Sequence, residues 1–186
     1  MLDVIKCDLK KRREKYASRF PMLSALRLAV AVALLPQLRT VVIYRMSRWF
    51  RMHHVGLVAR MLDVLNIQVC HCEISSMAEI GPGLEIAHVG GVVIGGGTRI
   101  GSNCLIFQGV TLGNAYGPRG IKAASDKRIQ PTIGNDVTIG AGAMVLGPVI
   151  VGNNASVGAN AVVVDDIPEG FVAIGVPAVS RPAVKA

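Results

Sequence analysis

From residue 74 to residue 164 the chain repeats with a period of six, a period that few folds accommodate. Aliphatic residues fall six apart at Ile94, Ile100, Ile106 and Leu112, and again at Ile133, Ile139, Val145, Val151, Val157 and Val163. Two positions before each stands a small or short side chain: Val92, Thr98, Cys104, Val110, Pro131, Val137, Ala143, Val149, Ala155 and Ala161. Glycine often follows the aliphatic residue, as in Ile94-Gly95, Ile100-Gly101 and Ile139-Gly140. Six matches neither the helical period of about 3.6 nor the strand period of 2. It fits a parallel β-helix, in which each hexapeptide is one short strand and one corner. The aliphatic residue and the one two places earlier both point inward, because strand side chains alternate. Glycine relieves the corner, where a Cβ would crowd the backbone.

The repeat is broken twice. It begins at Ile74, Ile80 and Ile86, but the next step, Ile86 to Ile94, is eight residues long, and the slip falls at His88. Leu112 to Ile133 is twenty-one residues, one step with fifteen extra. The extra residues fall between Asn114 and Pro131, a stretch rich in Gly, Pro and charge, which reads as an excursion from the wall. Breaks in a strict pattern, and long loops on a rigid scaffold, are where function is expected. After Val163 the stretch Asp165-Asp166-Ile167-Pro168-Glu169-Gly170 closes the repeat, and a short tail continues to Arg181-Pro182. The expected division is a helical, basic segment over 1–72 and a β-helix over 73–186, with its loop at 114–132.

The charge is divided in the same way. The net charge is +8. Residues 1–72 hold 13 Lys/Arg against 4 Asp/Glu, and residues 73–186 hold 7 against 8. The basicity is local, which argues against a nucleic-acid binder and for a surface facing anionic lipid or a phosphorylated partner. Lys10 to Lys15 read as a solvated helix. Apolar runs over 23–35, 41–50 and 55–65 read as helices. None is long enough between charges to span a bilayer, which takes about 20 residues. These helices are read as a cap or an oligomerisation element. Residues 1–60 are also read as a peripheral membrane contact, with Arg39, Arg45, Arg48 and Arg51 beside Trp49 and Phe50. No signal peptide is evident and the four cysteines form no disulfide framework, so the expected setting is cytoplasmic, at the inner face of the membrane where that contact is made. Cys104 takes an inward slot and reads as a buried thiol. Cys70-His71-Cys72 lacks the further ligands that a zinc site needs, and reads as the junction of helices and β-helix.

Three strings carry a resemblance: Ala87-His88-Val89-Gly90-Gly91-Val92-Val93-Ile94-Gly95, Gln108-Gly109-Val110-Thr111-Leu112-Gly113, and Ile167-Pro168-Glu169-Gly170 with Ala173-Ile174-Gly175-Val176-Pro177-Ala178. Over about residues 73–182 the chain resembles the hexapeptide-repeat acyltransferases, within them the serine acetyltransferase branch and its relatives that acetylate sugars. The resemblance implies a mainly β fold, a left-handed parallel β-helix behind an N-terminal α-helical segment, assembled as a homotrimer. It also implies transfer of acetyl from acetyl-CoA, as co-substrate and without a metal, to a hydroxyl.

Such chemistry needs a base, and an imidazole with an ordinary pKa near ~6.5 suits it. His88 is the one histidine after residue 71. By resemblance the carboxylate that orients it stands fifteen residues upstream, at Glu73. Backbone N–H groups near Gly113 are expected at the oxyanion. Coenzyme A is expected along Gly113, Ala141, Gly142, Ala159, Gly175 and Arg181, with Lys122, Lys127 or Arg128 of the loop meeting its phosphates. Gln108, Arg128 and Gln130 are the candidates for the acceptor. Serine enzymes of the branch carry Asp directly before the histidine and an Arg-His-Pro at the loop's end. Here those positions hold Ala87 and Ile129-Gln130-Pro131. These departures point to a sugar of a polysaccharide or its precursor, with L-serine as the alternative acceptor and a non-catalytic scaffold as a second alternative. A γ-type carbonic anhydrase would need three histidines on the β-helix, where only His88 is present.

Overall fold

The computed structural model describes residues 3–8, 31–115 and 129–183. Residues 3–8 are helical, and residues 31–34 form a helical turn that leads to Leu35. Helix α1 (Pro36–Met52) opens with proline in its first turn, where the missing N–H costs nothing. Helix α2 (Gly56–Cys70) ends with His71 in the left-handed conformation, φ 52°. Strand β1 (Cys72–Ile74) follows at once.

From there the chain is the left-handed parallel β-helix that the repeat and the resemblance lead one to expect. Its short strands fall on three faces. Face A stacks β1, β4 (Val92–Ile94), β7 (Thr111–Gly113), β10 (Met144–Leu146) and β13 (Val162–Val163). Face B stacks β2 (Glu79–Ile80), β5 (Arg99–Ile100), β8 (Thr132–Ile133) and β11 (Ile150–Val151). Face C stacks β3 (Glu85–Ile86), β6 (Leu105–Ile106), β9 (Thr138–Ile139), β12 (Ser156–Val157) and β14 (Phe171–Ile174), and β15 (Val179–Pro182) closes it antiparallel to β14. Successive coils stack in register, Ile94 on Leu112 on Val145 on Val163.

The inward pattern is met throughout. All ten of the repeat's small or short positions are buried, and so are the aliphatic ones, except Ile80, which is half-buried. Both breaks are real. Cys72 pairs with Val92, so the first coil is two residues longer than the eighteen of a regular one, and the extra pair lies at His88. The long excursion leaves after β7 and returns into β8. At Gly101 an added Cβ would stand 2.7 Å from the backbone of Gly134 in the next coil, so only glycine lets the coils close at that corner.

The helices cap the first coil. Tyr44, 1% exposed, donates to the Ala78 carbonyl at 2.9 Å, and burial pushes its phenol pKa up. Arg45 holds Asp8 through two hydrogen bonds, of 2.9 and 3.1 Å, and donates to the carbonyls of Ile80 and Gly81. Asp8 in turn accepts from the backbone N–H groups of Gly83 and Leu84. A buried pair is tolerable only with such full satisfaction. Below it, Ser47 and Ser76 both donate to Asp63.

This corrects the reading of Arg45, which is buried and bonded to the carbonyls of a turn. Arg48 and Arg51 bond to Ser76, and Arg39 to the carbonyls of Ala33 and Val69, and all three stay half-exposed. Cys70, His71 and Cys72 form the junction: both thiols are buried and the imidazole is exposed. The basic run Lys10 to Lys15 lies outside the described residues. Among the described residues no helix is long and apolar enough to cross a membrane.

Replacing Asp8 by Ala strands the Arg45 charge, and is expected to cost about 3–5 kcal/mol in denaturant unfolding. Asp3→Ala, at an exposed acid paired only with the exposed Lys6 among the described residues, is expected to stay within about 0.5 kcal/mol.

Candidate active site

The three faces meet at three corners, and the corner joining face C to face A carries His88. Register places its neighbours. Ile86 stacks on Ile106, Ile106 on Ile139, Ile139 on Val157, and Val157 on Ala173. Two residues beyond each of these stand His88, Gln108, Ala141, Ala159 and Gly175. The five form one column, rising by about 4.8 Å per coil. Below Gln108 the column holds no side chain larger than a methyl group, so a shallow track runs away from the histidine.

A ladder of left-handed residues builds this corner. Gly90, Gly91, Gly109, Gly142 and Asn160 all have positive φ. The Gly109 N–H donates to Gly90 at 2.9 Å, that of Gly142 to Gln108 at 2.9 Å, and that of Asn160 to Ala141 at 2.8 Å. An added Cβ on Gly142 would meet Asn160 Oδ1 at 2.3 Å. The track is thus kept bare by backbone geometry as well as by small side chains.

His88 itself is exposed. Its ring lies 6.4 Å from that of Phe107, centroid to centroid, tilted by 51°. Among the described residues it makes no hydrogen bond or ion pair, which leaves both ring nitrogens open. Phe107 is a neighbour that the sequence reading missed. The signal was available, since Phe107 follows Ile106 as Ala87 follows Ile86 in the coil before.

Glu73 is exposed on β1, opposite Val93, and among the described residues no bond joins it to His88. The link between the two segments runs instead through the backbone: the Gly91 N–H donates to the His71 carbonyl at 2.8 Å.

Two other candidates stand apart from His88. Gly113 ends β7, at the far edge of face A. Gln130 reaches the same A–B corner, where its Oε1 lies 3.4 Å from Thr98 Oγ1 and where a Cβ on Gly95 would strike it. The structure therefore gathers His88, Gln108, Ala141, Gly142, Ala159 and Gly175 along one corner and sets Gly113 and Gln130 along another. Arg181 is exposed on β15, opposite Val172 on face C. Lys122, Lys127 and Arg128 lie outside the described residues. Among the described residues no group of three or more His, Cys, Asp or Glu comes together as a metal site.

Since the exposed His88 ring makes no hydrogen bond or ion pair among the described residues, His88→Ala is expected to shift the free energy of unfolding by less than about 0.5 kcal/mol, read by chemical denaturation.

Comparison with known proteins adds the following. Residues 91–115 match the hexapeptide repeat of succinyl-transferase, and residues 130–165 match the bacterial transferase hexapeptide (six repeats). A serine acetyltransferase of Helicobacter pylori strain J99 is 41% identical over 145 residues, which cover 78% of this chain and 81% of the relative. One of Synechococcus elongatus is 38% identical over 142 residues, 76% of this chain, and the chain spans only 55% of that relative's length. A solved serine acetyltransferase in complex with CoA superposes with a TM-score of 0.79 at 29% identity, over 96% of this chain and 68% of that one.

Proposed function

The chain belongs to the serine acetyltransferase family of hexapeptide-repeat transferases, and we propose that it transfers an acetyl group from acetyl-CoA to a hydroxyl oxygen. The observation that carries this reading is the corner column, with a free imidazole at its head and a bare track behind it.

In this reading His88 is the general base. It accepts the acceptor's hydroxyl proton as the oxygen attacks the thioester carbonyl, then returns a proton to the departing thiolate. Glu73 is the carboxylate assigned to orient it. Its side chain is exposed on β1, which pairs with β4, the strand that follows the His88 corner. Coenzyme A would lie along Ala141, Gly142, Ala159 and Gly175, where nothing projects to block an extended chain. Arg181, with Lys127 of the loop, would meet its phosphates. Acetyl-CoA supplies the acetyl group as an activated thioester.

Gly113 and Gln130 enter through a second copy. The A–B corner of one subunit, set beside the C–A corner of the next, would bring Gly113 and Gln130 to His88. Face A lies between these corners and offers Val93, Met144 and Val162 on its outer surface. A homotrimer made this way would place each site between two subunits, as the resemblance implies.

The acceptor we assign is L-serine. Its support is the activity that the similar proteins are named for. The carbohydrate acceptor expected from the sequence finds no support there, and rests only on Ala87, Ile129 and Gln130 standing where the serine enzymes carry Asp, Arg and His. These departures would remove grip on a zwitterion, so the carbohydrate remains the second reading.

Thiol release from acetyl-CoA tests both. With L-serine, turnover is expected, falling about 10²–10⁴-fold in His88→Ala and by less in Glu73→Gln. Release with sugars alone would move the acceptor to the second reading. Silence with every acceptor, together with no acetyl-CoA binding, would overturn the enzyme.

A further inference from the structure

A base must hold its ring in one direction toward the reacting oxygen, since a misplacement of about 1 Å costs turnover about a hundredfold. His88 is exposed, and its imidazole turns about two side-chain bonds. Its corner carries the extra pair of the first coil. The backbone there is tied to its neighbours through Gly90 and Gly91: the Gly90 carbonyl accepts from Gly109, and the Gly91 N–H donates to His71. Those bonds fix the corner and leave the side chain to itself. Among the described residues the imidazole makes no hydrogen bond or ion pair, with Glu73 or with any other group. What it meets is an aromatic ring, that of Phe107, 6.4 Å away and tilted by 51°. Aromatic pairs attract at centroid separations of about 4.5–7 Å, and prefer tilted or offset arrangements to a face-to-face stack.

Register shows why Phe107 can reach it. Ile86 lies opposite Ile106, Ile106 opposite Ile139, and Ile139 opposite Val157. One residue beyond each of these stand Ala87, Phe107, Gly140 and Gly158. In this row Phe107 has a methyl group in the coil before it and no side chain in the coil after. Gly140 admits nothing larger, because a Cβ there would stand 2.7 Å from the backbone nitrogen of Ala159. The Phe107 N–H donates to the Ile139 carbonyl at 3.0 Å, so its backbone belongs to the ladder, while its half-buried ring has room along the column. Ala87, next to His88 and in the same row as Phe107, leaves that room open.

We propose that Phe107 is the positioning residue of His88: its ring holds the imidazole in one orientation at the head of the track. A hydrocarbon ring suits this task. It neither gives nor takes a proton, and it leaves uncontested the nitrogen that accepts the hydroxyl proton. The effect on turnover rests on the acetyltransferase reading, whereas the ring contact itself is read without catalysis.

Two variants of the full chain separate the ring from its bulk. Phe107→Leu keeps an apolar side chain and removes the aromatic ring; Phe107→Tyr keeps the ring. The proton resonance of the His88 imidazole, assigned by its loss in His88→Ala, is expected to move in Phe107→Leu and to stay near its place in Phe107→Tyr. With acetyl-CoA and the acceptor that supports turnover, kcat is expected to fall about two- to tenfold in Phe107→Leu, the rate equivalent of one aromatic pair. KM for acetyl-CoA is expected to hold, and Phe107→Tyr to recover most of kcat. The thermal midpoints serve as folding controls. An unmoved resonance, or an unchanged kcat in Phe107→Leu, would overturn the positioning role and leave acetyl transfer standing. An equal fall in both variants would overturn it too, and assign Phe107 to packing. A wild-type protein silent with every acceptor would overturn the acetyltransferase reading, and this role with it.

Discussion

Everything in this molecule depends on coils stacking in register. One backbone lies about 4.8 Å above the next, and the inward side chains of each coil rest on those of its neighbours: Ile94, Leu112, Val145 and Val163 on face A, Ile86, Ile106, Ile139 and Val157 on face C. Stacking turns sequence spacing into columns. A residue at a given step of one coil stands over its counterpart in the next, so residues far apart in the chain form a straight row. His88, Gln108, Ala141, Ala159 and Gly175 make such a row without a single direct hydrogen bond between their side chains. The left-handed ladder of Gly90, Gly109, Gly142 and Asn160 holds the corner that carries it. A bare track follows from the architecture, and His88, the proposed base, stands at its head.

The ends of such a stack need separate solutions. The last coil is closed by β15, paired antiparallel to β14. The first is closed by α1, whose Val41 and Tyr44 join the same core as Ile74 and Ile86. That closure also requires satisfaction of the turn at residues 80–84, and Arg45 and Asp8 provide it. An ion pair is thus placed where a strand turn exposes carbonyl and N–H groups side by side. The cost of burying the two charges is offset by six hydrogen bonds in all.

The period of six made the interior legible before any coordinates. It named most of the inward positions, though not Ala78, Leu84 or Ala173, and the eight-residue step from Ile86 to Ile94 pointed to His88. The column was legible too, by counting two places beyond each face-C aliphatic residue. What the sequence hid is tertiary. Nothing local shows that Arg45 turns inward, because an amphipathic pattern looks the same whether a guanidinium meets lipid or a backbone carbonyl. For the same reason α2 reads as an ordinary half-buried helix, although it buries Asp63 and Asn66 and exposes Leu57 and Met61. Gly113 and Gln130 were grouped with His88 by resemblance, and the structure sets them across face A from it. That separation is a property of which corner follows which face, and it is the physical reason for looking to a second subunit.

The central claim is that the C–A corner column is the coenzyme track. Amide hydrogen exchange with and without CoA tests it most directly, because the corner N–H groups of the column report contact residue by residue. The account predicts slowed exchange concentrated at residues 140–142, 158–160 and 174–176, with face B around Arg99, Gly101 and Gly134 unchanged. Protection on face B instead, or no protection anywhere at saturating CoA, would contradict it.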